Sequence, residues 1–215
     1  MNTTTKVAVI GLGNIGTAVA SNFVKGNRAV IVADRTITKA NALAQQLGSL
    51  AQPMSIAEAV KEAGILVLAI WFNATKEVLQ QYATELEGKI IIDPSNPIAP
   101  DENGGFKKTI RENDSAGELI AALLPKNAKL AKALGTLGAA SLTNAAFQQP
   151  ANVLFYATDD TSINEVVEQL IHDNGFAPVP VGGLDQSIRI EVFGDLHEFG
   201  ALGKAVTKSE AIVKL

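Results

Sequence analysis

The stretch KVAVIGLGNIGTAVASNFVKG, residues 6–26, decides how this chain begins to fold. KVAVI is a short apolar run of the kind that forms a strand buried on both faces. Gly11, Gly13 and Gly16 follow at once, and Ile15, Ala18, Val19, Asn22 and Phe23 then recur at helical spacing until Gly26. A second apolar run, AVIVA (29–33), leads to Asp34, 18 residues after Gly16. Strand, glycine turn, amphipathic helix, strand and acidic residue together make the fingerprint of a dinucleotide-binding unit. Gly11 permits the tight turn, Gly13 lets a diphosphate approach the backbone, and Gly16 lets helix and strand pack closely. The free N–H groups and dipole of the helix N-terminus attract the diphosphate. The loop Gly11-Leu12-Gly13-Asn14-Ile15-Gly16 is therefore the expected phosphate cradle.

Working outward, strand and helix patterns keep alternating. A second helix carries Ala40, Leu43, Ala44 and Leu47 on one face and stops at Gly48. Ser55 and Glu58 form a capping box for a third, with Ile56, Ala59, Val60 and Ala63 inward. ILVLAIW (65–71) is the longest apolar strand and is expected to lie centrally. Asn73 is expected to cap the next helix, with Val78, Leu79, Tyr82 and Leu86 inward, before a strand at KIIID (89–93). Residues 94–108, with Pro94, Pro97, Pro100, Gly104 and Gly105, read as a long loop, and such loops are usually functional. Ser115 and Glu118 make a further capping box. VLFYA (153–157) reads as a strand, Ser162 with Glu165 as the cap of a helix closing at Gly175, and APVPV (177–181) as an edge strand, because of its prolines. The fold class is α/β: a Rossmann-type doubly wound, mostly parallel sheet.

Composition sets the outer limits. The 215 residues are 47% hydrophobic and 19% charged, which fits one domain with at most a small appendage. The net charge of -4 argues against nucleic acid or an anionic membrane as partner. With no Cys there is no disulfide, thiolate nucleophile or Cys-bound metal. The polar start MNTTTK shows no signal peptide, and no apolar run approaches the ~20 residues of a membrane span. A cytoplasmic location is the expectation.

The residues after the second strand bear on which nicotinamide cofactor is bound. Asp34 could accept hydrogen bonds from the adenosine ribose, which favours NAD(H), and would repel a 2′-phosphate. Arg35, Thr36 and Lys39 follow, and the two cations, four residues apart, can face one phosphate. The balance favours NADP(H), with NAD(H) open.

GLGNIG, the ADR-T-x-x-K stretch, LVLAIWF, GKIIIDPSNP, SAGELIAALLPKNAKLAKAL, NVLFYATDD and GGLDQSIRIE occur in that order. Together they resemble the NADP-dependent deazaflavin (coenzyme F-420) oxidoreductases and their bacterial dinucleotide-binding relatives, over nearly the whole chain. The resemblance implies one Rossmann-like domain over residues 1–215, with a C-terminal extension from about residue 150 to 215 on the substrate or dimer side. It implies a homodimer, and hydride transfer between the nicotinamide and a flavin-like or deazaflavin ring. It also implies that Arg35 and Lys39 hold the 2′-phosphate, beside Asp34 where the family has a small polar residue. Two departures stand out: Trp71 and Phe72 occupy the place of a family proline, and Gly135 replaces a family Asn in a KAFNT-like segment.

Hydride transfer to a flat ring depends on positioning more than on acid–base help, and no catalytic residue is assigned. Ala69, Ile70, Trp71 and Phe72 end the long strand where the riboses should pass, although Trp71 could equally anchor the neighbouring helix. Ser95, Asn96 and Pro97, supported by the resemblance, are expected to orient the nicotinamide carboxamide. His172 reads as a helix-end residue and His197 as a surface residue before any role as proton donor. No metal site is expected. The Gly104–Gly105 loop could close over a second substrate. The leading reading is an oxidoreductase acting on a small-molecule hydride acceptor that is flavin-like, deazaflavin or quinone-like. An imine or small-carbonyl reductase and a non-enzymatic redox sensor are the alternatives.

Overall fold

In the computed structural model, which describes residues 5–214, the opening unit folds as its pattern dictates. Strand β1 (Val7–Ile10) enters the glycine loop, helix α1 (Asn14–Lys25) leaves it, and β2 (Val30–Ala33) returns beside β1. There follow α2 (Ile37–Leu47), β3 (Ala51–Met54), α3 (Ile56–Glu62), β4 (Ile65–Leu68), α4 (Phe72–Gln81) and β5 (Ile90–Asp93). Beyond them come β6 (Ile98–Pro100), β7 (Phe106–Lys108), α5 (Ala116–Ala121), β8 (Lys129–Lys132), α6 (Ala139–Asn144) and β9 (Val153–Ala157). Helix α7 (Asn164–Asp173), β10 (Ala177–Gly182), α8 (Ser187–Ile190) and α9 (Lys208–Ile212) complete the order.

Eight strands form one sheet in the order β10-β9-β8-β5-β4-β1-β2-β3. Every neighbouring pair is parallel except β8 and β9, which meet antiparallel, so β9 and β10 point the opposite way. Alternate residues of β1 explain its unbroken apolar run. Val7 and Val9 pack with Phe23 of α1 and Leu43 of α2, whereas Ala8 and Ile10 pack with Val60 of α3 and Leu79 of α4. A strand with helices on both faces has no side to leave polar. The last two strands bury one face under the chain end, where Val153, Phe155 and Val179 meet Leu196, Leu202 and Val206.

Local signals hold in part. Ser55 and Glu58 form the expected reciprocal box, and the Ser115 hydroxyl accepts the Glu118 N–H. Asn73 does not cap α4: the N-cap is Trp71, whose side chain makes no capping bond, because the helix starts earlier than expected. Ser162 does not cap α7 either. The Asp160 carboxylate accepts the Ser162 N–H and opens a 3-10 turn (Thr161–Ile163) that runs into the helix. Residues 94–108 are no plain loop, since β6 and β7 pair antiparallel within them. Strands β3 and β8 escape a periodicity reading because AQPM and KLAK carry polar residues; neighbouring strands supply the missing order.

The tightest point is the turn between β1 and α1. Gly11 has φ +92, and a Cβ on Gly16 would collide with the Gly11 carbonyl oxygen. Gly16→Ala should therefore cost about 1–3 kcal/mol, read as a fall of roughly 2–12 °C in the midpoint of thermal unfolding.

Candidate functional site

The carboxyl ends of β1, β2, β4, β5 and β8 lie along one edge of the sheet, and the crevice there is where such folds take ligands. At its centre is the glycine loop. No side chain caps α1, and the N–H groups of Asn14 and Ile15 have no acceptor among the described residues. Gly13 and Asn14 are exposed, and a Cβ on Gly13 would have no protein atom within 4 Å. The loop thus offers bare donors at the positive end of a 12-residue helix, in front of open space. Those are the properties of an anion site, and a diphosphate fits it.

Asp34 closes the loop from the side. Its Oδ2 accepts the Leu12 N–H at 2.9 Å and its Oδ1 the Thr36 N–H at 3.0 Å. Partial burial works to raise its pKa. The bonds from Thr36 and Leu12, with Lys39 and Arg35 nearby, outweigh that and hold it below the usual Asp value. The carboxylate stays ionised and ties the end of β2 to the loop. Arg35, Thr36 and Lys39 are exposed, and neither cation has a salt-bridge partner among the described residues.

Past β4 the chain runs through Ala69 and Ile70, both half-buried, to Trp71 and Phe72. Phe72 is buried, but Trp71 is 59% exposed and anchors no helix. Trp71, Phe72 and Asn73 form one wall of an open cleft of about 220 Å³, and the β6–β7 hairpin, through Ile98, Pro100 and Thr109, forms the other. Residues Ile98–Pro100 and Thr109 thus stand as a wall of this cleft, with Gly104 and Gly105 in the turn of the hairpin.

Ser95, Asn96 and Pro97 leave the end of β5 inside a dense polar network that sequence reasoning missed. Asp93 is fully buried and pairs with Lys132, 3% exposed, at 2.8 Å; Lys132 also donates to the Ser95 carbonyl. Asp93 Oδ1 accepts the Ser95 N–H. Asn96 donates to the Gly135 carbonyl at 3.3 Å and accepts the Val192 N–H at 2.7 Å. Gly135 offers no side chain because a Cβ there would strike the Pro94 carbonyl. The buried Glu191 carboxylate accepts the Ala116 and Gly117 N–H groups at the start of α5. Burial raises its pKa, opposed by Lys132 and those two bonds. The one signal in the sequence was the carboxylate that ends an apolar run, Asp93 after Ile90, Ile91 and Ile92.

His197 corrects the sequence expectation: it is 1% exposed, not a surface residue. Its Nδ1 accepts the Phe199 N–H at 2.9 Å, so Nε2 carries the proton and donates to the Gly135 carbonyl at 3.0 Å. His172, by contrast, is exposed in the last turn of α7. The segment Glu191–Phe199 is therefore bonded across to the ends of β5 and β8 through Asn96, Gly135 and Thr136, whose carbonyl accepts the Glu198 N–H.

The sheet order, the crossovers and the bare glycine loop define a Rossmann-type fold. The family described as "NADP oxidoreductase coenzyme F420-dependent" matches residues 6–97, so the first part of the chain is similar to that family. An F420-dependent NADP reductase of Methanocaldococcus jannaschii is 23% identical over 89% of this chain and 90% of its own. A glutamyl-tRNA reductase of Caldivirga maquilingensis is 33% identical over 54% of this chain, and the match spans 32% of that protein. Among solved structures, a hypothetical protein from Sinorhizobium meliloti has a TM-score of 0.83 at 26% identity, covering 97% of this chain and 98% of that one. Among the described residues, no helix is long and apolar enough to cross a membrane.

Burial depresses the His197 pKa to about 4 from 6.5, against the opposing pull of the Gly135 bond and Glu198. The unfolded chain then binds the extra proton first as pH falls, so the stabilisation is complete above pH 6.5 and is lost progressively down to about 4. Thermal midpoints should fall across that window. His197→Gln should flatten the slope there, which a pH series of melting curves would read.

Proposed function

We propose that this protein is an NADP(H)-dependent oxidoreductase whose dinucleotide lies across the carboxyl edge of the sheet. The observation that carries the reading is the pairing of two features. One is a bare helix start behind the glycine loop; the other is two cations after β2, Arg35 and Lys39, that have no salt-bridge partner among the described residues. The names of the relatives support the cofactor and the reaction class. Asp34, the residue that could favour NAD(H), already spends both oxygens on Leu12 and Thr36. Beside it, the two cations outnumber the one carboxylate, and a 2′-phosphate finds a net attraction.

In this reading Gly11 to Gly16 bind the diphosphate, Arg35, Thr36 and Lys39 the adenosine phosphate, and Ala69 to Phe72 the ribose path. Ser95, Asn96 and Pro97 orient the carboxamide. When bound, the nicotinamide supplies or takes the hydride. The chain's own part is to fix the ring: Asn96 is held at both ends of its amide, and Lys132 and Asp93 hold Ser95 from behind. His197, neutral and enclosed, is a brace and not a proton source. A flat acceptor of flavin, deazaflavin or quinone type needs positioning more than acid–base help, and the cleft beside Trp71 offers an apolar wall for one. A homodimer in the cytoplasm is the working form that the family resemblance suggests, and sedimentation velocity tests the dimer.

Titration with NADPH and NADH is the direct test. Arg35→Ala should weaken NADPH binding about ten- to a hundredfold, the value of one charge-assisted contact, and leave NADH within about twofold. Equal binding of both cofactors, unaffected by Arg35→Ala, would overturn the phosphate clamp. Gly13→Val should weaken both cofactors while leaving the unliganded melting temperature little changed, because its side chain enters space that the protein leaves empty.

A further inference from the structure

Helix α4 opens on two aromatic residues that go opposite ways. Phe72 enters the core, with the Lys76 ammonium 4.3 Å from its ring centre, whereas Trp71 stays more than half exposed. Trp71 serves the fold through its backbone. Its carbonyl accepts the Thr75 N–H at 3.0 Å, and its side chain makes no capping bond. The indole instead lines the cleft of about 220 Å³ that it shares with Ile98 and Pro100. Two polar residues line the same cleft, Asn73 and Thr109. Both are exposed, and neither side chain makes a hydrogen bond among the described residues. An apolar hollow with a few free polar groups is the usual make-up of a small-molecule site. Its hairpin wall is held in place, since β6 pairs with β7 and the Thr109 N–H donates to the Pro97 carbonyl at 2.7 Å. A wall fixed before the ligand arrives lowers the ordering cost of binding.

The cleft adjoins the glycine loop. Ala69 and Ile70, directly before Trp71, lie against it: a Cβ on Gly11 would stand 2.4 Å from the Ile70 side chain and 2.5 Å from the Ala69 carbonyl oxygen. The two walls follow β4 and β5, which lie on the far side of β1 from β2 and its cations Arg35 and Lys39. A dinucleotide with its adenosine phosphate at those cations keeps its adenine away from the cleft.

We propose that this cleft is the acceptor subsite, with the Trp71 indole stacked on a flat ring and Asn73 and Thr109 bonded to that ring's polar edge. The proposal deepens the proposed function and rests on it. Trp71 keeps its backbone on the ribose path and lends its side chain to the acceptor. An indole face favours flat aromatic and quinone rings. The Asn73 amide both donates and accepts, so it serves a ring N–H or a ring C=O. A small aliphatic imine or carbonyl compound has no face to offer the indole.

Trp71→Leu removes the aromatic face, Trp71→Phe keeps a smaller one, and Asn73→Ala removes the amide. Calorimetry measures binding of FMN and of menadione to each protein with NADP⁺ present. Binding of NADP⁺ and of adenosine 2′,5′-bisphosphate, which lacks the nicotinamide, is measured separately. Melting temperatures should stay within about 2 °C of wild type, because the exchanged side chains are exposed and unbonded. Trp71→Leu should weaken both rings about tenfold and Trp71→Phe about two- to threefold. Asn73→Ala should weaken them about fivefold, and no variant should alter binding of the two adenosine ligands. A loss confined to one ring supports the proposal and names the acceptor type. Equal ring affinities in wild type and all variants overturn it. So does weaker binding of NADP⁺ or adenosine 2′,5′-bisphosphate to Trp71→Leu, which puts a ring of the cofactor in the cleft. Wild type that binds NADP⁺ but neither ring overturns the subsite and leaves the cofactor site standing; wild type that binds no NADP⁺ removes both.

Discussion

Everything at the carboxyl edge depends on how closely α1 is pressed against the end of β1. Two glycines without side chains, Gly11 and Gly16, let the helix start directly over the strand. That contact points the helix dipole into the crevice and leaves its first N–H groups bare. The Asp34 carboxylate then fixes the loop by taking the Leu12 N–H, so the end of β2 and its two cations are held at a set position relative to the cradle. A loop held this way has little freedom to lose when an anion binds, and the cost of ordering it is met in folding.

The opposite half of the edge is organised by a buried ion pair. Asp93 and Lys132 end adjacent strands, and neither could stay charged there alone, since isolated buried charge is expensive. Paired, they fix the chain where β5 and β8 give way to loops. The polar network then extends through Asn96, Gly135 and His197 to the segment Glu191–Phe199. The C-terminal part of the chain therefore does two jobs. It covers one face of β9 and β10 with apolar side chains, and it braces the loops after β5 and β8 through hydrogen bonds.

The physical types of signal separate what was legible in the sequence from what was not. The glycine loop was legible because strand, turn and helix lie within twenty-odd consecutive residues and each imposes its own local pattern. The long apolar strands were legible because burial on both faces leaves no alternation. Caps were legible where the bond is local and reciprocal, as at Ser55 and Glu58. They failed where helix starts shifted, as at Asn73 and Ser162. His197 looked like a surface residue because its partners, Gly135 and Phe199, lie on two different segments, one of them 62 residues away.

The sequence by itself determined the alternation of strands and helices, the glycine loop between β1 and α1 and the presence of two cations after the second strand. Each rests on contacts between near neighbours, which periodicity and composition record. Only the tertiary structure decided that Asp34 turns inward to Leu12, that residues 98–108 stand as a wall beside Trp71, and that Asp93 and Lys132 pair at the ends of β5 and β8. Those outcomes depend on distant segments brought together by the sheet, where hydrogen-bond partners and burial, and not residue type, settle what each side chain can do.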